Sequence, residues 1–468
     1  MQPVIHTDSV TFRYPQRSKA SSPLTLTIER GETVLISGPS GTGKSTLARC
    51  LAGLIPHLYH GDFQGSVWID GLESSVTPMW KLAERIGFVF QNPASQMVTA
   101  TVLEEILFGL ENLGITQLEM RKRLDEVVSQ FELEPFLNRS PQSLSGGEQQ
   151  KLCLASIFAR HPHIFVLDEP LSMLDTTSAI ELVEDLQQQA DEGGSIVVCE
   201  HKADFLKSFS TLRVEALAPN QIVFSDIDEP IPVQKTHNPP MRLRIKDLVI
   251  RKNGHQILNG INCEIDSGKV VAVIGRNGVG KTTLFRAITG FTAYEGEIAI
   301  EGSPEKPHFG IVFQNPDMQL FNGSVREEIL YHLPDPNLDR YNWLIKMLEL
   351  EQYETTPPLL LSEGEKRRVA LATILMRNSK KGILLDEPAL GQDSGHKILL
   401  MRLLRALAEQ GMFVIMSTHD IDLALQADHL ILMGKEGIAA HGNPISVFNN
   451  TSAWMQIGLV KPSWAHLP

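Results

Sequence analysis

Residues 38–46 read Gly-Pro-Ser-Gly-Thr-Gly-Lys-Ser-Thr, and residues 275–283 read Gly-Arg-Asn-Gly-Val-Gly-Lys-Thr-Thr, with Lys44 and Lys281 standing 237 positions apart. Both strings fit G-x-x-x-x-G-K-[ST]. In that pattern glycines let backbone N–H groups wrap phosphate oxygens, the lysine reaches the outer phosphates, and the hydroxyl ligates Mg²⁺. The phosphate-binding set is therefore Gly38, Gly41, Gly43, Lys44, Ser45 and Thr46 in the first copy, and Gly275, Gly278, Gly280, Lys281, Thr282 and Thr283 in the second. One such string could be a chance glycine-rich turn. Two, each after an apolar run and before helix-like sequence, predict nucleotide binding.

Each string is followed by the same acids. Asp168-Glu169 and Asp386-Glu387 close short apolar runs as Asp-Glu-Pro, and His201 and His419 lie 33 residues beyond the respective aspartates. An aspartate so placed suits Mg²⁺, the glutamate can polarise an attacking water, and the histidine can touch a γ-phosphate. Paired acids at a strand end could merely cap the next segment, and a strand-end histidine is often structural. The repeated order and spacing favour catalysis, with ATP and Mg²⁺ as the expected cofactors.

The elements that must position these residues read as α/β. Thr33–Ile36, Lys269–Ile274, Ile164–Leu167, Ile383–Leu385, Ser195–Val198 and Phe413–Met416 are continuous rather than alternating apolar runs. Such runs predict strands buried on both faces, as in a mainly parallel sheet flanked by helices, whose C-terminal ends carry the ligand-binding residues. Two domains are expected, 1–227 and 241–468. Between them 228–240 is a proline-rich polar linker, and its thirteen residues could span about 40 Å if extended.

The bulk properties narrow the class. The 468 residues are 42% hydrophobic and 21% charged, an ordinary globular balance. No apolar run approaches the ~18–20 residues of a membrane span, and the N-terminus shows no basic-then-apolar secretory signal. Net charge is −13, from 42 basic and 55 acidic residues. That sign disfavours nucleic acid as a partner. Cys50, Cys153, Cys199 and Cys263 show no C-x-x-C spacing and read as buried reduced thiols.

Leu144-Ser-Gly-Gly-Glu-Gln-Gln150 resembles the signature motif of ABC-family ATPases, and the second copy is Leu361-Ser-Glu-Gly-Glu365. Gln91 and Gln314, each in Phe-Gln-Asn-Pro, resemble that family's Q-loop glutamine, which reaches the catalytic site and Mg²⁺; Asp175 resembles its D-loop aspartate. The resemblance covers nearly the whole chain. It implies two tandem P-loop domains, each with a helical subdomain, sandwiching two ATPs head to tail. Each site would take its phosphate loop from one domain and its signature residues, Ser145 with Gly147 or Ser362 with Gly364, from the other. Ser145 and Ser362 would stand at helix N-termini, which favour anions. Ser-x-x-Glu is also a capping box, and both roles are compatible.

A narrower resemblance follows the glutamines. The segments from Phe90 and from Phe313, running through Glu104-Glu105 and Glu327-Glu328, and the later His441-Gly-Asn-Pro-Ile-Ser-Val-Phe, are similar to the ATPase components of energy-coupling factor importers. That likeness implies a peripheral subunit on the cytoplasmic membrane face. It would energise uptake of a vitamin, vitamin precursor or transition-metal ion through a transmembrane coupling protein and a membrane substrate-binding subunit. Glu104 and Glu327 read as capping-box partners of Thr101 and Ser324. Glu105 and Glu328 have no such duty in the sequence and are candidates for a partner's arginines. A sugar-type importer ATPase and a soluble tandem ABC protein acting on ribosomes or DNA are the alternatives.

The copies differ. Glu363 stands where the first signature has Gly146 and would bring a carboxylate toward the γ-phosphate of the Lys44 site; the matching D-loop, Leu390-Gly-Gln-Asp393, departs too. Tyr14 can stack on adenine, whereas the second half offers Arg251 and Lys252 there. Full catalysis is expected at the Lys281 site completed by Ser145, and weaker turnover at the Lys44 site completed by Ser362.

Overall fold

A computed structural model describes residues 3–15, 20–21, 23–38, 42–200, 212–215, 240–252, 255–301, 308–377, 381–390, 392 and 394–461. The chain forms two compact units, Met1–Ile222 and Val223–Pro468.

In the first unit a parallel sheet runs in the order Ile86–Val89, Ile164–Asp168, Ser195–Glu200, Thr33–Ser37, Leu212–Glu215. All residues of Ile164–Asp168 and Ser195–Glu200 are buried, which explains their unbroken apolar spelling. An antiparallel sheet of Leu24–Ile28, Ile5–Arg13, Asp62–Ile69 and Leu72–Glu73 packs over the helix Lys44–Leu51 in one core. A second core gathers the helices Val102–Glu111, Gln117–Gln130 and Gly146–Phe158 onto the other face of the parallel sheet. This is the helical subdomain.

The second unit repeats the plan. Its larger sheet runs Phe309–Val312, Gly382–Asp386, Phe413–Ser417, Val270–Ile274, His429–Gly434, Gly437–Gly442, all parallel except the last pair. The three-stranded sheet His255–Asp266, Arg242–Lys252, Glu295–Ile300 is antiparallel. The helices Val325–Leu330, Leu338–Met347 and Glu363–Met376 join the main core. Both units are α/β with parallel sheets, as the apolar runs predict.

Strand order matters for the site. In each unit the strand feeding the phosphate loop lies beside the strand ahead of the histidine, and the strand ending in Asp-Glu lies one further. In register, Asp168 stands opposite Cys199 and Asp386 opposite Ser417. All four cysteines are buried and free, and burial pushes the Cys50 and Cys263 thiols up to about 12.

Candidate functional site: two phosphate loops with their acidic pairs

Each phosphate loop enters its helix through a left-handed glycine. Gly43 (φ 94°) and Gly280 (φ 105°) are the N-caps of Lys44–Leu51 and Lys281–Ile288, a conformation that side-chain-bearing residues rarely adopt. At Gly280 a Cβ would also lie 2.5 Å from Leu258 Cδ2. Neither helix has a side-chain cap among the described residues, the kind of helix N-terminus that suits an anion. Lys44 Nζ donates to the Gly38 carbonyl at 2.7 Å, and Lys281 Nζ to those of Gly275 (2.6 Å) and Arg276 (3.2 Å). Gly41 and His201 lie outside the described residues.

The hydroxyl predicted to ligate Mg²⁺ meets its aspartate in both units. Ser45 Oγ donates to Asp168 Oδ1 at 3.0 Å, and Thr282 Oγ1 to Asp386 Oδ2 at 2.5 Å. Asp386 also accepts from Ser417 Oγ at 2.5 Å. The first unit has Cys199 at that register position, with its thiol pushed well up by burial. Burial raises the Asp168 carboxyl to about 7, and the neighbouring Glu169 charge adds to this against Ser45, Arg49 and Lys44. A buried carboxyl paired with a hydroxyl is a hard oxygen donor set that favours a cation, and it fits Mg²⁺.

The glutamates share an unpredicted backbone feature. Glu169 (φ 52°) and Glu387 (φ 51°) are both left-handed, a conformation costing about 1–3 kcal/mol that persists only where the surroundings over-determine it. Each glutamate N–H is held by the neighbouring strand: Glu169 by the Cys199 carbonyl at 2.8 Å, Glu387 by the Ser417 carbonyl and Oγ, both at 3.2 Å. Their side chains engage different partners. Gln91 Nε2 donates to Glu169 Oε2 at 2.7 Å. Glu387 Oε2 accepts from the His419 N–H at 3.2 Å, and its Oε1 lies 3.2 Å from His419 Nε2. His419 Nε2 is also 3.3 Å from Lys281 Nζ. The structure thus joins Lys281, Thr282, Asp386, Glu387 and His419, and joins Lys44, Ser45, Asp168, Glu169 and Gln91. Gln314 is half-buried just beyond Phe309–Val312.

Ser145 and Ser362 cap Gly146–Phe158 and Glu363–Met376 with complete capping boxes to Glu148 and Glu365, worth about 1 kcal/mol each. Gly147 and Gly364 lie in the first turns, and Asp175 caps Thr176–Asp191 through the Ser178 N–H. Asp393 lies outside the described residues. Glu363 turns toward its own helix, 3.6 Å from Lys366 Nζ.

Two expectations need correction. Glu105 and Glu328 do have structural duties. Glu105 Oε2 accepts from the N–H groups of Val98 and Thr99 and from Thr99 Oγ1, and Glu328 Oε2 from the N–H groups of Phe321 and Asn322 and from Asn322 Nδ2. Both residues are buried, so they brace the loop after the Q-loop glutamine and are not held out for a partner's arginine. The Thr101–Glu104 box is complete, but at Ser324 only the serine-to-Glu327 N–H half forms. Arg251, the stacking candidate, is half exposed and ion-paired with Glu295, which stands in register with Val249 on the neighbouring strand. Tyr14 is half-buried, edge-on to Phe12, with its hydroxyl bonded by Arg49; the Lys252 side chain lies outside the description. Sequence reasoning also missed Gln96 and Gln319. Their amides take the Phe90 or Phe313 N–H and give back to the Phe88 or Ile311 carbonyl. Their identical offset from Phe-Gln-Asn-Pro was the available signal.

Residues 21–172 and 258–390 match the ABC transporter family. Over nearly its full length the chain is 30% identical to an ABC transporter ATP-binding protein, so assigned by name, of Methanosarcina acetivorans (99% of this chain, 90% of that one). It is 32% identical to one of Treponema denticola (85% and 88%). Among solved structures it is similar to ABCE1 in a model of ribosome-bound archaeal Pelota and ABCE1 (TM-score 0.68, 22% identity, 96% of this chain and 81% of that one). It is also similar to RNase-L Inhibitor (TM-score 0.59, 23% identity, 95% and 93%). At those identities the likeness concerns the fold. The chain belongs to the ABC transporter family of ATPases, with two such domains in tandem.

Proposed function

We propose that the chain is the ATP-hydrolysing subunit of an energy-coupling factor-type importer, peripheral on the cytoplasmic membrane face, energising uptake of a vitamin, vitamin precursor or transition-metal ion. The observation that carries this is the duplicated construction after the two Q-loop glutamines. In both units an asparagine caps the turn (Asn92, Asn315), a glutamine pins it to the preceding strand (Gln96, Gln319), and a buried glutamate braces the loop (Glu105, Glu328). Around these braces Val98 and Phe108 in the first unit, and Met318 and Phe321 in the second, are more than half exposed. Two matching rigid loops with apolar crests suit a partner that contacts both domains, as a transmembrane coupling protein does. No helix among the described residues is long and apolar enough to cross a membrane, so this reading places the pore in other subunits.

In the mechanism we propose, the two ATPase halves pair within one chain, and Lys281 and its loop N–H groups hold the phosphates of one ATP. Mg²⁺, when bound by Thr282 and Asp386 with Gln314, would offset the charge of the β- and γ-phosphates. Glu387, held by His419, orients a water and takes its proton as the new P–O bond forms and the bond to the β-phosphate oxygen breaks. Ser145 with Gly147 completes that site from the first half. Ser362 with Gly364 completes the Lys44 site, where Ser45 and Asp168 with Gln91 would hold the metal and Tyr14 would meet adenine. The Gln91 and Gln314 regions pass closure to the coupling protein.

The ribosome-associated relatives in fold keep a second reading alive, which the −13 charge disfavours. Affinity capture of the tagged chain from gently solubilised membranes, read by mass spectrometry, decides between them. Recovery with a polytopic protein and a small membrane substrate binder supports the importer. Recovery with ribosomes, or from the soluble fraction alone, overturns it.

A further inference from the structure

We propose that Arg367 is a positioning residue for Glu387, and that Glu363 balances the charge of the buried Lys366 beside this arginine. The proposal rests on the reading above, in which Glu387 activates water. Arg367 and Gln150 occupy the same place, five residues after the capping serines Ser362 and Ser145. Gln150 is fully buried, and neither atom of its amide has a hydrogen-bond partner among the described residues. Arg367 is 4% exposed, and its guanidinium donates to the Glu387 carbonyl at 3.3 Å.

That carbonyl belongs to the left-handed residue itself. With Ser417 on the N–H, and the Leu390 N–H and Arg367 together on the C=O, the main chain of Glu387 is held on both sides, with its carboxylate against His419. Left-handed residues need such external restraint. In the first unit the Glu169 carbonyl accepts from the Ser172 N–H at 3.1 Å, the counterpart of the Leu390 bond, and Gln150 adds no side-chain bond to it.

A buried guanidinium also needs compensation. Lys366, 8% exposed, sits between Asp317 (2.8 Å) and Glu363 (3.6 Å), and burial lowers the Arg367 guanidinium from its ordinary value against the charges of Glu363, Glu387, Asp386 and Asp317. The matching first-half positions are Ala94 for Asp317, Gly146 for Glu363, Gln149 for Lys366 and Gln150 for Arg367. Two cations and two anions are thus replaced together by four neutral residues. The carboxylate that looks like a defect in the signature motif belongs to this balanced set.

The test is made in a Glu169→Gln background, so that turnover reports the Glu387 site. Arg367→Gln is expected to lower kcat about tenfold or more while KM for ATP stays within about twofold, because the reacting group is misplaced rather than the nucleotide lost. Glu363→Gly alone is expected to lower Tm, since the cations lose a counter-charge. The double variant Glu363→Gly/Arg367→Gln recreates the neutral pairing while leaving Lys366 with Asp317. It is expected to regain Tm but not kcat. Retained kcat in Arg367→Gln, or kcat recovering together with Tm in the double variant, would overturn the positioning role. Retained turnover in Glu387→Gln in the same background would instead sink the reading of Glu387 on which it rests.

Discussion

The acidic pairs of the two halves share residue types, strand register and a left-handed turn, yet they are held by different groups. In the first, among the described residues, Asp168 is bonded by the Ser45 hydroxyl, faces a buried thiol, and is raised to about 7; Glu169 is held at its N–H by Cys199, at its carbonyl by the Ser172 N–H and at its carboxylate by Gln91. In the second, Asp386 is bonded by the Thr282 and Ser417 hydroxyls, and Glu387 is held at its N–H by Ser417, at its carbonyl by the Leu390 N–H and by Arg367, and at its carboxylate by His419. The comparison teaches that motif identity fixes which atoms can react, while the surrounding polar groups fix how firmly they are aimed. We propose that the second half is the stronger catalyst.

The sharpest way to break that comparison is to remove each glutamate in turn. Glu387→Gln should lower ATPase turnover by about 100-fold, and Glu169→Gln by no more than about threefold, measured as phosphate release at saturating Mg·ATP. The reverse ranking would assign the asymmetry backwards.

A smaller effect sharpens it at the aspartates. Ser417→Ala removes a hydroxyl from Asp386, and Cys199→Ser supplies one beside Asp168. The first should weaken, and the second strengthen, Mg²⁺-dependent nucleotide affinity at its own site by about 3–10-fold, equivalent to one hydrogen bond of roughly 1 kcal/mol. Titrations with fluorescent nucleotide and varied Mg²⁺ would show it, and equal effects at both sites would argue against the difference.

The loop braces should behave alike in the two halves. Glu105→Gln and Glu328→Gln each weaken a buried carboxylate's bonds to N–H groups and should cost about 1–3 kcal/mol, seen as a lower Tm. Captured membrane partners should stay bound. Unchanged Tm with lost partners would restore the arginine-pairing role that burial argues against.

The smallest expected effect concerns the thiols. Cys50, Cys153, Cys199 and Cys263 are buried in the described structure, so a thiol reagent should label none of them within minutes at neutral pH without denaturant. Rapid labelling of Cys199 alone would show that the first acidic site opens more readily than the second.

Much of the chemistry was legible in the sequence because it depends on local spacing. The phosphate loops, the Asp-Glu strand ends and the serine capping boxes are set by residues within about six positions of each other. The continuous apolar runs announced strands buried on both faces before any sheet was seen. Tertiary structure alone decided what those local units touch. Glu105 and Glu328 look idle in the sequence because the N–H groups they bind carry no side-chain signature. Glu363 looks like a misplaced charge until the buried Lys366 is found beside it. The grip of Arg367 on Glu387 joins residues 20 positions apart through a backbone carbonyl. A carbonyl is present at every residue, so no pattern of side chains could have pointed to this one; only packing selects it.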